Sequence, residues 1–354
     1  MVQTNKIKGK IHRRRAAATV GMVVFSLGLA ACSAGSTSDN SSSGASSDKP
    51  LLVAINRGAT AQYFIDLQSG FIAKVNELGG TAKVYDAKED PALTVSLMND
   101  AVSAGAKGIA ISAQNSDLGS ALDKIAKDAG VAFLATDSTQ KDASGTPLPF
   151  VGFDGKAMGT SVGDEVVRLL DESGWLTDSS MKVGVLSVEA QSILVCEDRT
   201  NASKDVLKKS GFPAGNIYQV PYDGSTLAGQ SAAGPVITAN PDVTNWVVFS
   251  CNDEGVLGAN NALNTAGVDP KNVLGVGIGA YEACKAWVAN QPSGFKSALF
   301  ISGLDVGAAA AEVLWNNVVK GEPLPAFTSA NSTMVDPTSF KTTFDSTSLA
   351  NCGK

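Results

Sequence analysis

Residues 51–91 read LLVAINRGATAQYFIDLQSGFIAKVNELGGTAKVYDAKEDP, and this stretch decides the fold. Its first six residues are an apolar run ending on Asn56, the length of a buried strand. Phe64, Leu67, Phe71, Val75 and Leu78 then recur at steps of three and four, which is one face of a helix, and Gly79-Gly80 stops it. A second strand run follows at 82–85. Asp90 before Pro91 opens another helix: a carboxylate cap, then a proline at the first turn, where no N–H is required. The same period predicts Leu93, Leu97, Ala101 and Val102 on its inner face. Strand, helix, strand, helix implies parallel pairing with helical crossovers.

Working outward, the alternation continues. Strand runs are predicted at 108–112, 131–137 and 149–154, with a helix at 118–129. A second series follows, with strands at 182–188, 216–220, 245–251, 272–278 and 297–301 and a last major helix near 305–320. About 305 residues lie beyond position 49, enough for two cores. The fold class expected is α/β, with two doubly wound lobes whose parallel sheets are covered on both faces.

The start of the chain reads differently. Lys6, Lys8, Lys10, Arg13, Arg14 and Arg15 are unopposed by any acid, and an apolar run from 16 to 31 follows. It is short for a membrane span and ends on Leu29-Ala30-Ala31-Cys32, similar to the bacterial lipobox. The expectation is a lipoprotein signal peptide over 1–31, lipidation of Cys32 and a disordered Ser- and Gly-rich tether over 32–49. That places the folded part outside the cytoplasm, anchored to the cell membrane.

The leader holds six of the 28 Lys and Arg and none of the 34 Asp and Glu, so the rest is 22 basic against 34 acidic residues, a net of −12. A surface that acidic is a poor partner for nucleic acid. His12, the only histidine, also lies in the leader. The remainder has no imidazole, which excludes Ser-His-Asp and Cys-His catalysis and most zinc sites. Cys196, Cys251, Cys284 and Cys352 suggest two disulfides in an exported chain, with three connectivities open, and their spacing fits no metal motif.

In doubly wound sheets functional groups gather beyond the carboxyl ends of strands. Those loops hold Asn56-Arg57 with Tyr63-Phe64, Ser112-Ala113-Gln114-Asn115, Thr136-Asp137-Ser138, Gly152-Phe153-Asp154, Glu197-Asp198-Arg199, Cys251-Asn252-Asp253-Glu254 and Gly279-Ala280-Tyr281-Glu282. Planar polar groups mixed with aromatics suit a sugar: hydroxyls need donors and acceptors, and the C–H faces stack on rings. Each group also has a plainer reading. Asp137-Ser138 and Asn252-Asp253 fit turns or helix caps, Arg199 a solvated charge, Tyr63-Phe64 and Phe153 ordinary packing. Ser138-Thr139-Gln140-Lys141 fits S-x-x-K, but neither companion motif of the penicillin-binding proteins accompanies it. Gly275-x-Gly277-x-Gly279 has the wrong spacing for a dinucleotide loop.

The order of elements, with Gly105-Ala106-Lys107-Gly108, Gly211-Phe212-Pro213, the run from Ile217 to Pro221, Asn252-Asp253 before Val256-Leu257-Gly258, and Gly275-Val276-Gly277-Ile278, resembles the periplasmic sugar-binding proteins of the ribose/galactose/arabinose group, most nearly its arabinose-binding members. The likeness runs from Leu51 to Phe340. It implies two lobes joined by three crossover strands, closing on a monosaccharide that is delivered to the permease of an ATP-driven (ABC) importer. The protein would be a monomer with no cofactor, no metal and no enzymatic activity. An exported carbohydrate-active enzyme or a sugar-sensing receptor is the alternative.

Carried over residue by residue, the resemblance implies Arg57 in place of a family lysine, Tyr63-Phe64 as a packing pair, and Asp137 as the first of two aspartates, with Ser138 replacing the second. It implies Phe153 where a methionine meets the ligand, Arg199 as the family arginine and Asn252 as the family asparagine. Ala61 and Gly279 depart from a glutamate and an Asn or Asp, and Glu282 is the candidate to replace the lost acceptors. Trp175, Trp246, Trp287 and Trp315 fall at structural positions. The crossovers are expected near Phe153-Asp154, Ile301-Ser302 and Asn331-Ser332, giving a first lobe of 50–153 and 302–331 and a second of 154–301 and 332–354.

Overall fold

A computed structural model describes residues 49–353, so the expected signal peptide, Cys32 and the expected tether up to 48 lie outside the described residues. Among the described residues twelve strands form two sheets. They are β1 (Leu51–Asn56), β2 (Thr81–Asp86), β3 (Gly108–Ile111), β4 (Ala132–Thr136), β5 (Phe150–Gly152), β6 (Val183–Glu189), β7 (Ile217–Pro221), β8 (Asn245–Ser250), β9 (Val273–Gly279), β10 (Phe295–Ile301), β11 (Phe327–Ser329) and β12 (Ser332–Val335). The orders are β11-β5-β4-β3-β1-β2 and β12-β10-β9-β8-β6-β7, the same winding twice. Pairing is parallel except between β10 and β12.

The helices are α1 (Gln62–Glu77), α2 (Pro91–Ser103), α3 (Gly119–Ala129), α4 (Gly155–Ser173), α5 (Leu194–Lys209), α6 (Thr226–Ala239), α7 (Asp253–Thr265), α8 (Tyr281–Val288), α9 (Gly303–Lys320), α10 (Phe340–Thr343) and α11 (Ser346–Asn351). The chain crosses between the sheets three times: from β5 into α4, from β10 into α9, and from β11 to β12. Both sheets are therefore joined by short segments side by side, and their strand ends face one another.

Fully buried strands explain the continuous apolar runs. Every residue of β3, β5, β6, β8 and β9 is buried, as parallel strands covered on both faces must be. Helix contacts that fix the site depend on missing side chains. A Cβ at Gly159 of α4 would collide with the Arg199 carbonyl of α5, and Ser203 Oγ donates to the Gly159 carbonyl oxygen at 2.8 Å. At Gly70 of α1 a Cβ would collide with the backbone of Leu304 in α9.

Two sequence expectations need correction. On α2 the buried residues are Thr94, Met98 and Ala101; Leu93, Leu97 and Val102 are only half-buried. The Asp90 carboxylate accepts the N–H groups of Ala92 and Leu93, and Thr94 Oγ1 reaches Gln114 Oε1 at 3.1 Å, which turns the helix about one residue from the predicted face. The short edge strands β11 and β12 flank the crossover that the resemblance placed near Asn331-Ser332, but no apolar run predicted them, and three of the four β12 residues and all of β11 are at least partly exposed. Among the described residues no helix is long and apolar enough to cross a membrane.

Candidate functional site

The facing strand ends enclose a cavity of about 850 Å³. Arg57, which follows β1, is its most connected cation in the first lobe. Its Nε lies 3.5 Å from Glu89 Oε1, its Nη1 4.0 Å from Asp137 Oδ2, and its guanidinium 5.0 Å above the Phe64 ring. Phe64 in turn meets Tyr63 edge to face at 5.2 Å. Asn56 Nδ2 donates to the Phe64 carbonyl oxygen at 3.0 Å, pinning the first turn of α1 to the end of β1. Asp137 follows β4 with φ 63°, a left-handed backbone that a short polar side chain tolerates better than most.

Arg199 faces this group from α5. It is 6 % exposed, and its Nη1 donates to the Cys251 carbonyl oxygen at 3.0 Å. Burial holds the Arg199 pKa below its ordinary value, and the Asp137 carboxylate is the leading opposing influence. Burial, then the Asp137 charge, raises the Tyr63 phenol. Three buried polar atoms that line this cavity accept or donate no hydrogen bond within the protein: Tyr63 Oη, Gln114 Nε2 and Arg199 Nε. Buried polar groups without a hydrogen-bond partner are costly, so such atoms mark where a polar ligand gains most.

Of the sugar-binding candidates, Arg57, Tyr63, Phe64, Asp137, Arg199, Asn252 and Glu282 all line the cavity. Phe153 does not. It is 5 % exposed and packs in the apolar core with Met158, Tyr63 and Phe64, because the chain leaves β5 there to enter α4. Asn252 is largely committed to structure. Its Oδ1 accepts the Tyr222 hydroxyl at 2.7 Å and the Gly255 N–H, capping α7, and its Nδ2 donates to the Gly224 carbonyl oxygen. The Glu282 carboxylate is bound to Lys285 Nζ at 2.8 Å. Gly279 has φ 119°, a conformation that disfavours the Asn or Asp of the resemblance. Ala61 is the N-cap of α1 with no side-chain bond. None of Trp175, Trp246, Trp287 and Trp315 is among the lining residues.

Tyr281, from the strand-end loop 279–282, also lines the cavity, as do Glu89 and Lys285, which the sequence did not mark, and the Tyr222 hydroxyl links Ser250 to Asn252. Lys285 lies one turn inside α8 and Glu89 in the loop between β2 and α2, away from the residues that directly follow a strand. Asp253 Oδ2 accepts the N–H groups of Glu282 at 2.9 Å and Ala283 at 3.0 Å, so it caps α8 across the loop. Burial pushes its carboxyl up to about 6, and pushes that of neighbouring Glu254 up to about 7, with the Asp253 charge second. Cys196 is disulfide-bonded to Cys251 within the cavity wall, and Cys284 to Cys352 behind it.

Residues 52–323 match the family described as periplasmic binding protein domain. The chain is 29 % identical over 262 residues to the L-arabinose-binding periplasmic protein of Escherichia coli K12, covering 73 % of this chain and 79 % of that one. It is 31 % identical over 238 residues to the ABC transporter L-arabinose-binding periplasmic protein of Azospirillum brasilense, covering 66 % and 70 %. Its fold matches that of an ABC transporter periplasmic solute-binding protein from Actinobacillus succinogenes 130z with bound D-allose, at a TM-score of 0.70 and 18 % identity, covering 83 % of this chain and all of the other.

Proposed function

This chain belongs to the periplasmic binding protein domain family, and on that premise we propose that it captures a monosaccharide outside the cytoplasm. The sugar is an arabinose-like pentose or a related hexose, held by closure of the lobes and handed to the permease of an ABC importer. The observation that carries this reading is the pairing of Arg57 and Asp137 from one lobe with Arg199 from the other around one cavity whose buried donors lack partners. Arginine and carboxylate together offer donors and acceptors to each hydroxyl, and the Tyr63-Phe64 pair offers an aromatic face. Contacts to both lobes form only when the lobes shut, so ligand shifts the population toward the closed state.

The lobe division at 153/154, 301/302 and 331/332 is part of this proposal and is supported by the sheet membership of β5, β10, β11 and β12. So are the lipid anchor at Cys32, the monomeric state and the absence of catalysis. A thermal-shift and calorimetric screen across pentoses and hexoses tests the reading. The true ligand at a hundred times its Kd adds about 2.7 kcal/mol of stability. No stabilisation by any sugar, or turnover of aryl glycosides, sinks it.

A further inference from the structure

Tyr281 faces two ways. As the first residue of α8 it lines the cavity. Its hydroxyl accepts the N–H of Gly303 at 3.2 Å, where the chain returns from β10 to the first lobe. Gly303 in turn lies against α1, where a Cβ on it would come within 3.1 Å of the Asp66 Cβ. Asp66 is 2 % exposed, and its Oδ1 accepts from Gln62 Nε2 at 2.8 Å and Asn351 Nδ2 at 3.3 Å. Asn351 ends α11, and the next residue, Cys352, is bonded to Cys284 of α8.

One buried carboxyl of the first lobe therefore receives a side chain from the C-terminal helix of the second, and that helix is braced covalently to the helix that begins at Tyr281. Neither Asp66 nor Asn351 lines the cavity. A buried acid held by donors from two bodies is costly whenever those bodies separate, which makes it sensitive to the angle between them. We propose that Asp66 is a positioning residue for ligand capture: through Asn351 it sets the lobe angle beside the β10–α9 crossover. The affinity consequence rests on the sugar-capture reading above; the lobe-angle consequence does not.

The test uses Asp66→Asn and Asn351→Ala in the full chain, so that a folding failure of one leaves the other to decide. Small-angle scattering without sugar comes first, and each variant should show a larger radius of gyration than the wild type. Affinity for the sugar that the wild type binds should fall about tenfold, mostly through faster release. Asn351→Ala combined with Asp66→Asn should cost clearly less than the sum of the two single changes. A lowered thermal midpoint with scattering and affinity as in wild type would make Asp66 merely structural and overturn the proposal, as would strict additivity. A wild type that binds no sugar would defeat the capture reading instead, and the scattering comparison would still decide on Asp66.

Discussion

Asp137 and Ala280 occupy the same step of the two lobes and share a backbone. Asp137 follows β4, Ala280 follows β9, each strand is third in its sheet order, and both residues have φ 63°. Non-glycine residues in this region cost of order 1–2 kcal/mol and persist where surrounding contacts over-determine them. Here they turn the chain sharply at the cavity mouth, putting the Asp137 carboxylate in the cavity and the N-terminus of α8 over the Asp253 carboxylate.

Ala280 allows a direct test of that strain. Ala280→Gly removes the left-handed penalty but loses a buried methyl and adds unfolded-state entropy, each of about 1 kcal/mol, so stability should change by no more than ~1 kcal/mol. Ala280→Val, β-branched in the same conformation, should lose at least ~2 kcal/mol. Urea titrations that rank the two variants the other way would contradict this account.

At the ligand, Asp137→Asn keeps the shape of the side chain but exchanges an acceptor for a donor and removes the charge facing Arg57 and Arg199. A hydrogen bond to a charged group contributes roughly 1.5–3 kcal/mol, so sugar affinity should fall about ten- to a hundred-and-fifty-fold. Arg199→Ala should cost at least as much, since it also leaves Asp137 with less counter-charge. Trp175→Phe, buried in the core and not among the lining residues, should leave affinity within about twofold. Calorimetry on the three proteins decides it, and near-wild-type binding by the first two would place the sugar elsewhere.

Glu254 gives a pH dependence with a defined sign. Its folded pKa is raised from 4.5 to about 7, so the folded state holds the proton more strongly than the unfolded chain. That relative stabilisation is complete below about pH 4.5 and is lost as pH rises through about 7. Asp253, raised to about 6, acts in the same direction. Replacing Glu254 with Gln should flatten the decline of unfolding free energy between pH 5 and 8 by roughly 1–3 kcal/mol. Parallel profiles for the two proteins would show that Glu254 is ionised throughout.

The Cys284–Cys352 bond closes a loop with a sequence separation of 68. Chain entropy assigns such a loop about 4 kcal/mol, with measured losses commonly 2–5. The double change Cys284→Ala and Cys352→Ala should therefore lower stability by a few kcal/mol. A dithiol reductant also opens Cys196–Cys251, so wild type and the double variant should share one denaturation midpoint only when both are reduced; a reduced wild type indistinguishable from the oxidised protein would be incompatible with this.

Cys32 lies outside the described residues, and its lipidation is tested in cells. Cys32→Ser should release the protein to the medium or leave it unprocessed, since acyl chains contribute about 0.8 kcal/mol per buried methylene to anchoring. Membrane retention equal to wild type after fractionation would refute the anchor.

The repeated strand–helix order was legible from residue 51 onward because buried parallel strands must be continuously apolar and their covering helices must repeat at three and four. The loops at strand ends were legible as a group for the same reason, and with them Arg57, Tyr63, Phe64, Asp137 and Arg199. Sequence also excluded histidine chemistry from everything beyond residue 12, by composition alone. Tertiary structure decided matters that depend on distance between remote residues. It paired Cys196 with Cys251 and Cys284 with Cys352, drew Phe153 into the core, committed Asn252 to the α7 cap, and brought Asn351 to Asp66 across 285 positions. Periodicity reports which face of an element is buried. Which polar atom then meets which is fixed only when the two lobes and the C-terminal helix pack, because unmatched buried groups are costly and each must find its partner in three dimensions.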